Sequence, residues 1–238
     1  MKRFFSNPAA LLLILLMAYR AIKGGLYDSP IDWLMGTLIL LPGIIIGLSF
    51  HEFAHAFVAY KCGDPTPKFQ KRITLNPAVH IDPIGFIALI FIGFGWGRPV
   101  MVNPNNFKKP RRDELLVYLA GVTLNLILAF LFLSSIRLLY EFALDFIISD
   151  MGLILQEILV SAAFMNIVLL VFNLLPIPPL DGFNVLTQLF NLRYTEFYNR
   201  VYDKGFLILM VLILLNVTGR ILTPAVYWVY NAMAGLLF

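Results

Sequence analysis

Apolar residues in this chain fall in long blocks. Runs at 8–19, 33–50, 115–136, 152–175 and 205–217 carry almost no charge. A bilayer takes roughly 20 apolar residues per helix, somewhat fewer with tilt or flanking anchors. Each run therefore predicts a helix in lipid rather than a strand with one wet face. Between 61 and 112 the pattern changes. The centre, 81–102, is as apolar as the spans, but Pro83, Gly85, Gly93, Gly95, Gly97 and Pro99 break any helix. The stretch begins and ends among basic residues on one side. Irregular backbone at membrane depth survives only where protein or a water-filled cavity covers it, so a re-entrant element is the economical reading. Ile92, Phe94, Trp96 and Arg98 alternate with Phe91, Gly93, Gly95 and Gly97, the period of a strand. Three glycines on one face would let another backbone approach, so Gly93 and Gly95 become candidates for holding an extended substrate. The predicted fold class is an all-α polytopic membrane protein. It has about six transmembrane helices and a re-entrant, partly extended (β-like) segment near 81–104, with a last helix interrupted at Pro224.

Composition sharpens this picture. The chain is 60% hydrophobic, 13% charged, with mean hydropathy +0.82, whereas soluble domains run near half apolar and about a quarter charged. An ordinary soluble enzyme, a disordered tail and a disulfide scaffold are all excluded, the last because Cys62 stands alone. The run at 8–22 lacks a small-residue cleavage site and is read as a retained span rather than a signal peptide. Of the 18 Lys and Arg residues, fourteen fall in 1–7, 61–112 and 176–204. That asymmetry predicts a cytoplasmic N-terminus and places those segments inside. It also accounts for the net charge of +4 without nucleic acid. A single membrane-embedded domain over 1–238 is expected, with a core at about 31–190 and extra spans at 8–22 and 205–238.

The chemistry sits in His51-Glu52-Phe53-Ala54-His55. On a helix, positions i and i+4 share a face, so His51 and His55 present two imidazoles to one zinc ion. Glu52 is then placed to take a proton from a water that the ion activates. Ionisable groups at the end of an apolar span are costly and usually functional, and two of the three histidines lie here. A catalytic zinc needs a third protein ligand and an open position. His80 and Asp181 both fall on the expected inner side, and topology alone does not choose between them.

These residues resemble the site-2 protease family of intramembrane zinc metalloproteases. His51 to His55 matches its HExxH helix, and Asn173-Leu174-Leu175-Pro176 followed by Pro179-Leu180-Asp181-Gly182 is similar to its N-x-x-P and P-x-D-G signature. The resemblance implies that Asp181 is the third ligand to one Zn2+ per chain and Glu52 the general base. It further implies that Asn173 binds substrate near the metal. Gly121-Val122-Thr123-Leu124-Asn125 looks like the family's A-G-P-x-x-N segment with Val122 in place of proline, and Asn125 is read as structural. His80 is read as lying near the ligands or toward substrate rather than binding metal. The resemblance spans roughly 40–190 and points to a compact, prokaryotic-type member without a PDZ or nucleotide-binding module.

The function expected is intramembrane endopeptidase: hydrolysis of peptide bonds in transmembrane segments of membrane-protein substrates, near the cytoplasmic face of a prokaryotic cell membrane. The competing reading is a non-catalytic zinc-binding membrane protein, either a pseudoprotease or a metal-handling transporter. Glu52 favours the enzyme, because a pure binding site needs no base between its histidines.

Overall fold

The structure, a computed structural model, describes residues 30–92 and 95–238. The expected first span at 8–22 lies outside them, as do Gly93 and Phe94. Three helices carry the architecture: α1 (Pro30–Lys61), α5 (Pro110–Phe142) and α7 (Asp150–Asn173). Among the described residues these three are long and apolar enough to cross a membrane. Short helices α2 (Thr66–Phe69), α3 (Pro77–His80) and α4 (Pro83–Ile92) lie between α1 and α5, and α6 (Leu144–Ile147) joins α5 to α7. Helices α8 (Asp181–Phe190), α9 (Glu196–Tyr202), α10 (Gly205–Leu214) and α11 (Val217–Leu237) complete the chain.

The long helices begin where local chemistry allows. Pro110 opens α5, where a missing N–H costs nothing, and the Asp113 carboxylate accepts from the Lys109 N–H at 2.9 Å. Ser149 caps α7 by accepting from the Gly152 N–H at 3.2 Å. Helices α1, α5 and α7 then pack on one another along their lengths. In lipid, apolar burial gives helices little reason to associate, so close backbone approach through small residues takes its place. Gly43 and Gly47, one turn apart on α1, supply it. A Cβ at Gly43 would lie 2.6 Å from the Ala162 Cα, and one at Gly47 would lie 2.6 Å from Leu169 Cδ1. A second cluster of Ala129, Leu133, Ile136, Ala163, Ile167, Val226 and Met233 joins α5, α7 and α11.

The segment after α1 doubles back as the glycine and proline pattern suggests, but by a different local structure. Residues 83–92 are helical, Gly85 included, with Pro83 at the first position. The strand-like reading of 91–98 is therefore corrected at its start. Among the described residues there is no strand, only an isolated bridge between Ile81 and Gly97. The returning limb leans on α4 through glycines: a Cβ at Gly95 would sit 2.1 Å from the Gly85 carbonyl oxygen, and one at Gly85 equally close to that of Trp96. The Arg98 N–H donates to the His80 carbonyl at 2.7 Å, so the segment's two ends meet. The apolar alternation failed because Gly95 serves contact within the segment rather than ladder pairing.

At the C-terminus the helix continues through Pro224 and breaks earlier. Asn216 adopts a left-handed conformation (φ 56°), and α10 and α11 meet there at 79°. With ten residues and a rise of about 1.5 Å each, α10 alone is too short to cross. Counting that bent pair as one span raises the described spans to four; the expected six are not reached among the described residues.

Asp64 ties the exit of α1 to the entry of α5. It is fully buried. Its oxygens accept from the Thr66 N–H and hydroxyl at 3.1 and 2.6 Å, the Asn103 N–H at 2.7 Å and the Asn106 amide at 2.7 Å. Burial opposes its charge, but these donors outweigh it and hold the carboxyl below its ordinary value.

Two predictions arise. Cysteine labelling at 61–72 and 105–112 should find both on one side of the membrane; opposite sides would make 81–104 a crossing. For Asp64, the folded pKa lies below the unfolded value of about 3.9. Its contribution is therefore present above roughly pH 4 and lost as pH falls through the folded value. Thermal unfolding of purified wild type should show that acid loss, and Asp64→Asn should be less stable at neutral pH with a flatter acid limb.

Candidate active site

Helix α1 has 32 residues, roughly 48 Å at 1.5 Å per residue, longer than a hydrocarbon core of about 30 Å. His51, Glu52 and His55 stand on its last three turns. Helix α5 runs back beside them, and α7 returns in the direction of α1. The ends of α1 and α7 therefore share one side, and the loop after α7 carries Asp181 to the histidines.

That loop explains the Pro-rich signature. Turn bonds run from the Leu175 N–H to the Phe172 carbonyl at 3.1 Å and from the Leu180 N–H to that of Ile177 at 2.9 Å. The Pro178–Pro179 bond is cis. Leu175 and Leu180 are buried with Leu209 of α10, so the loop is packed, not loose. Gly182 is required by contact: a Cβ there would lie 2.2 Å from the Leu174 carbonyl oxygen. A larger residue would lift the first turn of α8, and Asp181 with it.

His51, His55 and Asp181 come together, each offering one ligand atom. His51 Nε2 lies 3.0 Å from His55 Nε2 and 3.1 Å from Asp181 Oδ2; His55 Nε2 lies 3.3 Å from that same oxygen. These separations approach the edge of a tetrahedron with metal bonds near 2.0–2.1 Å, about 3.3 Å. The outer nitrogens are also engaged. His55 Nδ1 donates to the Val117 carbonyl at 2.7 Å, and His51 Nδ1 faces Asn125 Oδ1 at 2.7 Å. A carbonyl can only accept, so His55 carries its proton on Nδ1 and turns a lone pair inward. Asp181 Oδ2 is buried with no hydrogen-bond donor. Acceptors crowded this closely fit a cation and little else.

Glu52 points beside this cluster, its Oε2 accepting from the Val100 N–H at 2.9 Å. The return limb that supplies Val100 is held at both ends, by His80 at Arg98 and by Asp64 at Asn103. The Arg72 guanidinium also donates to the carbonyls of Val79, Arg98 and Pro99. A cavity of about 390 Å³ opens beside the triad, lined by His51, Glu52, His55, Val100, Met101, Tyr118, Asn173, Asn184, Asp181 and Tyr202 among others.

Of the other residues singled out in the sequence, Asn173 lines the cavity, with its amide donating to the Leu169 carbonyl at 2.9 Å. Gly95 lines a separate apolar cavity of about 270 Å³ between α1, α4, α7 and the α10–α11 bend. Gly93 lies outside the described residues. His80 is buried and pairs through Nε2 with the Thr74 carbonyl at 2.7 Å, apart from the triad. Tyr118, Tyr202, Val100 and Val117 were not anticipated. Two of them act through backbone atoms, which leave no side-chain signature; Asn125 was in view but given no role.

Buried imidazoles and a carboxylate around one point, with a glutamate beside them at the end of membrane spans, define a membrane-embedded metallopeptidase. The sequence pattern of Peptidase family M50 matches residues 147–216, the part that contains Asp181. The Bacillus subtilis protein named "Putative zinc metalloprotease YwhC" is 39% identical over 181 residues, 76% of this chain and 82% of its own length. Two proteins named "Putative zinc metalloprotease Rip2" are each 30% identical over 209 residues, 85% of this chain. They cover 76% of the Mycolicibacterium smegmatis protein and 77% of that from Mycobacterium tuberculosis. No solved structure matches. The chain belongs to peptidase family M50, the site-2 protease family of zinc metalloproteases.

Ligand substitution tests the site directly. Purified wild type should hold about one zinc per chain. His51→Ala, His55→Ala and Asp181→Ala should each empty it, and His80→Ala should keep it. Zinc retained in Asp181→Ala but lost in His80→Ala would overturn the ligand assignment.

Proposed function

We propose that this protein is an intramembrane endopeptidase that hydrolyses peptide bonds in the transmembrane segments of other membrane proteins, near the cytoplasmic face. The carrying observation is the acceptor triangle of His51, His55 and Asp181 beside Glu52, in a cavity at the ends of spans. The three residues hold one zinc ion, a metal also named in the relatives' titles. Bound there, zinc polarises the scissile carbonyl and acidifies water. The core at about 31–190 carries this chemistry.

Glu52 is the general base. The Val100 N–H engages one of its oxygens and restrains the side chain, leaving the other to accept a proton from the attacking water and pass it to the departing amine. Asn173 uses one amide hydrogen within its helix; the second is free to meet the substrate main chain. A helical peptide bond is shielded by its own hydrogen bonds, so the scissile region must open, and its freed groups need partners away from water. The return limb offers an edge. Met101 is exposed beside Glu52, and the N–H groups of Met101 and Val102 make no bond among the described residues. Substrate pairs along that edge, with Gly95 seating the limb against α4.

The positive-inside bias supports a cytoplasmic N-terminus and an inner-face site, and the bacterial relatives support a prokaryotic cell membrane. A transmembrane protein substrate and the lipid bilayer are then the partners.

The test uses reconstituted protein and a single-span substrate. Glu52→Gln should keep its zinc and lose proteolysis, by about 10²–10⁴-fold if it serves only as acid–base catalyst. Full turnover in a clean Glu52→Gln preparation removes Glu52 from that role. Zinc without turnover in wild type, across several single-span substrates, would favour the non-catalytic reading.

A further inference from the structure

Asn125 sits in the middle of α5, fully buried, where an unsatisfied amide would be expensive. Its hydrogen bonds connect three helices. Oδ1 lies 2.7 Å from His51 Nδ1, and Nδ2 donates to the Gly47 carbonyl at 3.2 Å and to Asn166 Oδ1 at 2.9 Å. Asn166 is fully buried too, and its own amide donates to the Ala162 carbonyl at 2.8 Å.

The direction of this relay is forced. The Gly47 and Ala162 carbonyls can only accept, so each asparagine must turn its NH2 toward its carbonyl. The oxygen of Asn166 then faces Asn125, and the oxygen of Asn125 faces His51. An amide oxygen cannot donate, so His51 must carry its proton on Nδ1 and leave Nε2 as a lone pair toward Asp181 and His55. A flipped amide would set donor against donor or acceptor against acceptor at more than one point of the chain.

Gly121, one turn before Asn125, controls the ring from its other side. A Cβ there would lie 2.5 Å from His51 Cε1 and 2.7 Å from both ring nitrogens. A hydrogen at Gly121 is all the space allows while the imidazole keeps its present plane.

We propose that Gly121 and Asn125 form a cradle for His51: the glycine admits the ring, and the asparagine, oriented by Asn166 and Gly47, fixes its tautomer so that Nε2 is ready for metal. They are positioning residues that act through His51. The inference rests on the metalloprotease reading for its consequence, but the tautomer follows from hydrogen bonding alone. His55 obtains the same result from a backbone carbonyl, which no substitution at position 117 would remove. The asparagine is therefore the one replaceable acceptor behind the two histidines.

The experiment measures zinc affinity by chelator competition and records imidazole 15N–1H spectra with and without zinc. Three histidines in the chain make those signals assignable. Wild type should show slowly exchanging Nδ1–H signals from His51 and His55. Asn125→Leu should lose the His51 signal, keep that of His55, and bind zinc 10–100-fold more weakly, the range seen when a metal ligand loses its hydrogen-bond partner. Gly121→Ala should weaken zinc at least tenfold with Asn125 intact. Gly235→Ala, which meets nothing within 4 Å, is the control and should leave both readouts unchanged. A His51 signal that persists in Asn125→Leu, with zinc affinity within twofold of wild type, overturns the cradle. Wild type that binds no zinc overturns the metalloprotease reading instead, while selective loss of the His51 signal in metal-free Asn125→Leu would still support the cradle. If Asn125→Leu does not fold, Asn166→Leu supplies the same test. It removes one of the two acceptors that hold the Asn125 amide and leaves only the Gly47 carbonyl, so the His51 signal should broaden and zinc weaken; no change in either would count against the relay.

Discussion

Three acceptors aimed at one point are the constraint on which the rest of this protein turns. His51, His55 and Asp181 bring lone pairs to within 3.0–3.3 Å of one another. Such a cluster is unfavourable without a cation, and it persists because each member is restrained from behind. Val117 and Asn125 hold the rings, and the packed loop with Gly182 holds the carboxylate. The long helices must therefore keep register with one another. A slide of one residue along α5 would move the Val117 carbonyl and the Asn125 amide out of reach together, since both serve histidines one turn apart on an antiparallel neighbour. Gly43 and Gly47 draw α7 closely against α1 near the same level, so tight helix packing lies beside the most demanding chemistry.

The second demand is positional. On the proposed function, a base must stand beside the metal without binding it. Glu52 follows His51 directly on the helix, so its side chain points off the histidine face, and the Val100 N–H engages one of its oxygens. That donor sits on a non-helical limb, which membrane depth permits only because protein covers it. The limb is suspended from a buried aspartate at one end and a histidine carbonyl at the other, with the Arg72 guanidinium bracing it between. Asp64 and His80, although they touch no part of the metal cluster, thus set where Glu52 can point.

Much of this was legible in the sequence. The long apolar blocks name α1, α5 and α7, and the two motifs name the three residues, His51, His55 and Asp181, that the fold brings to one point, with Glu52 beside them. The re-entrant segment was legible as a reversal but not as a structure. Glycine and proline announce that a run will not cross, yet Gly85 is carried inside α4, and Gly95 is spent on a contact within the segment. Pro224 misled for the same reason: a proline inside a membrane helix does not by itself end it, whereas the left-handed Asn216 turns the chain through 79°. Asn125 shows the limit most clearly. Its type and its place one turn after Gly121 were visible, but its function depends on which of two atoms faces a ring on another helix.

That dependence separates the two kinds of polar residue in the spans. A ligand or a base can be recognised by what it is, since few side chains can bind zinc or take a proton. A supporting residue is recognised by what its neighbours cannot do. Asn166 has no chemical property relevant to peptide hydrolysis, yet with its amide anchored on the Ala162 carbonyl it leaves Asn125 a single orientation, and Asn125 in turn leaves His51 a single tautomer. In water such a relay would be contested at every step by solvent. Buried between helices it has no competitor, and the same absence of water that makes each unpaired group costly makes the directed chain of acceptors dependable.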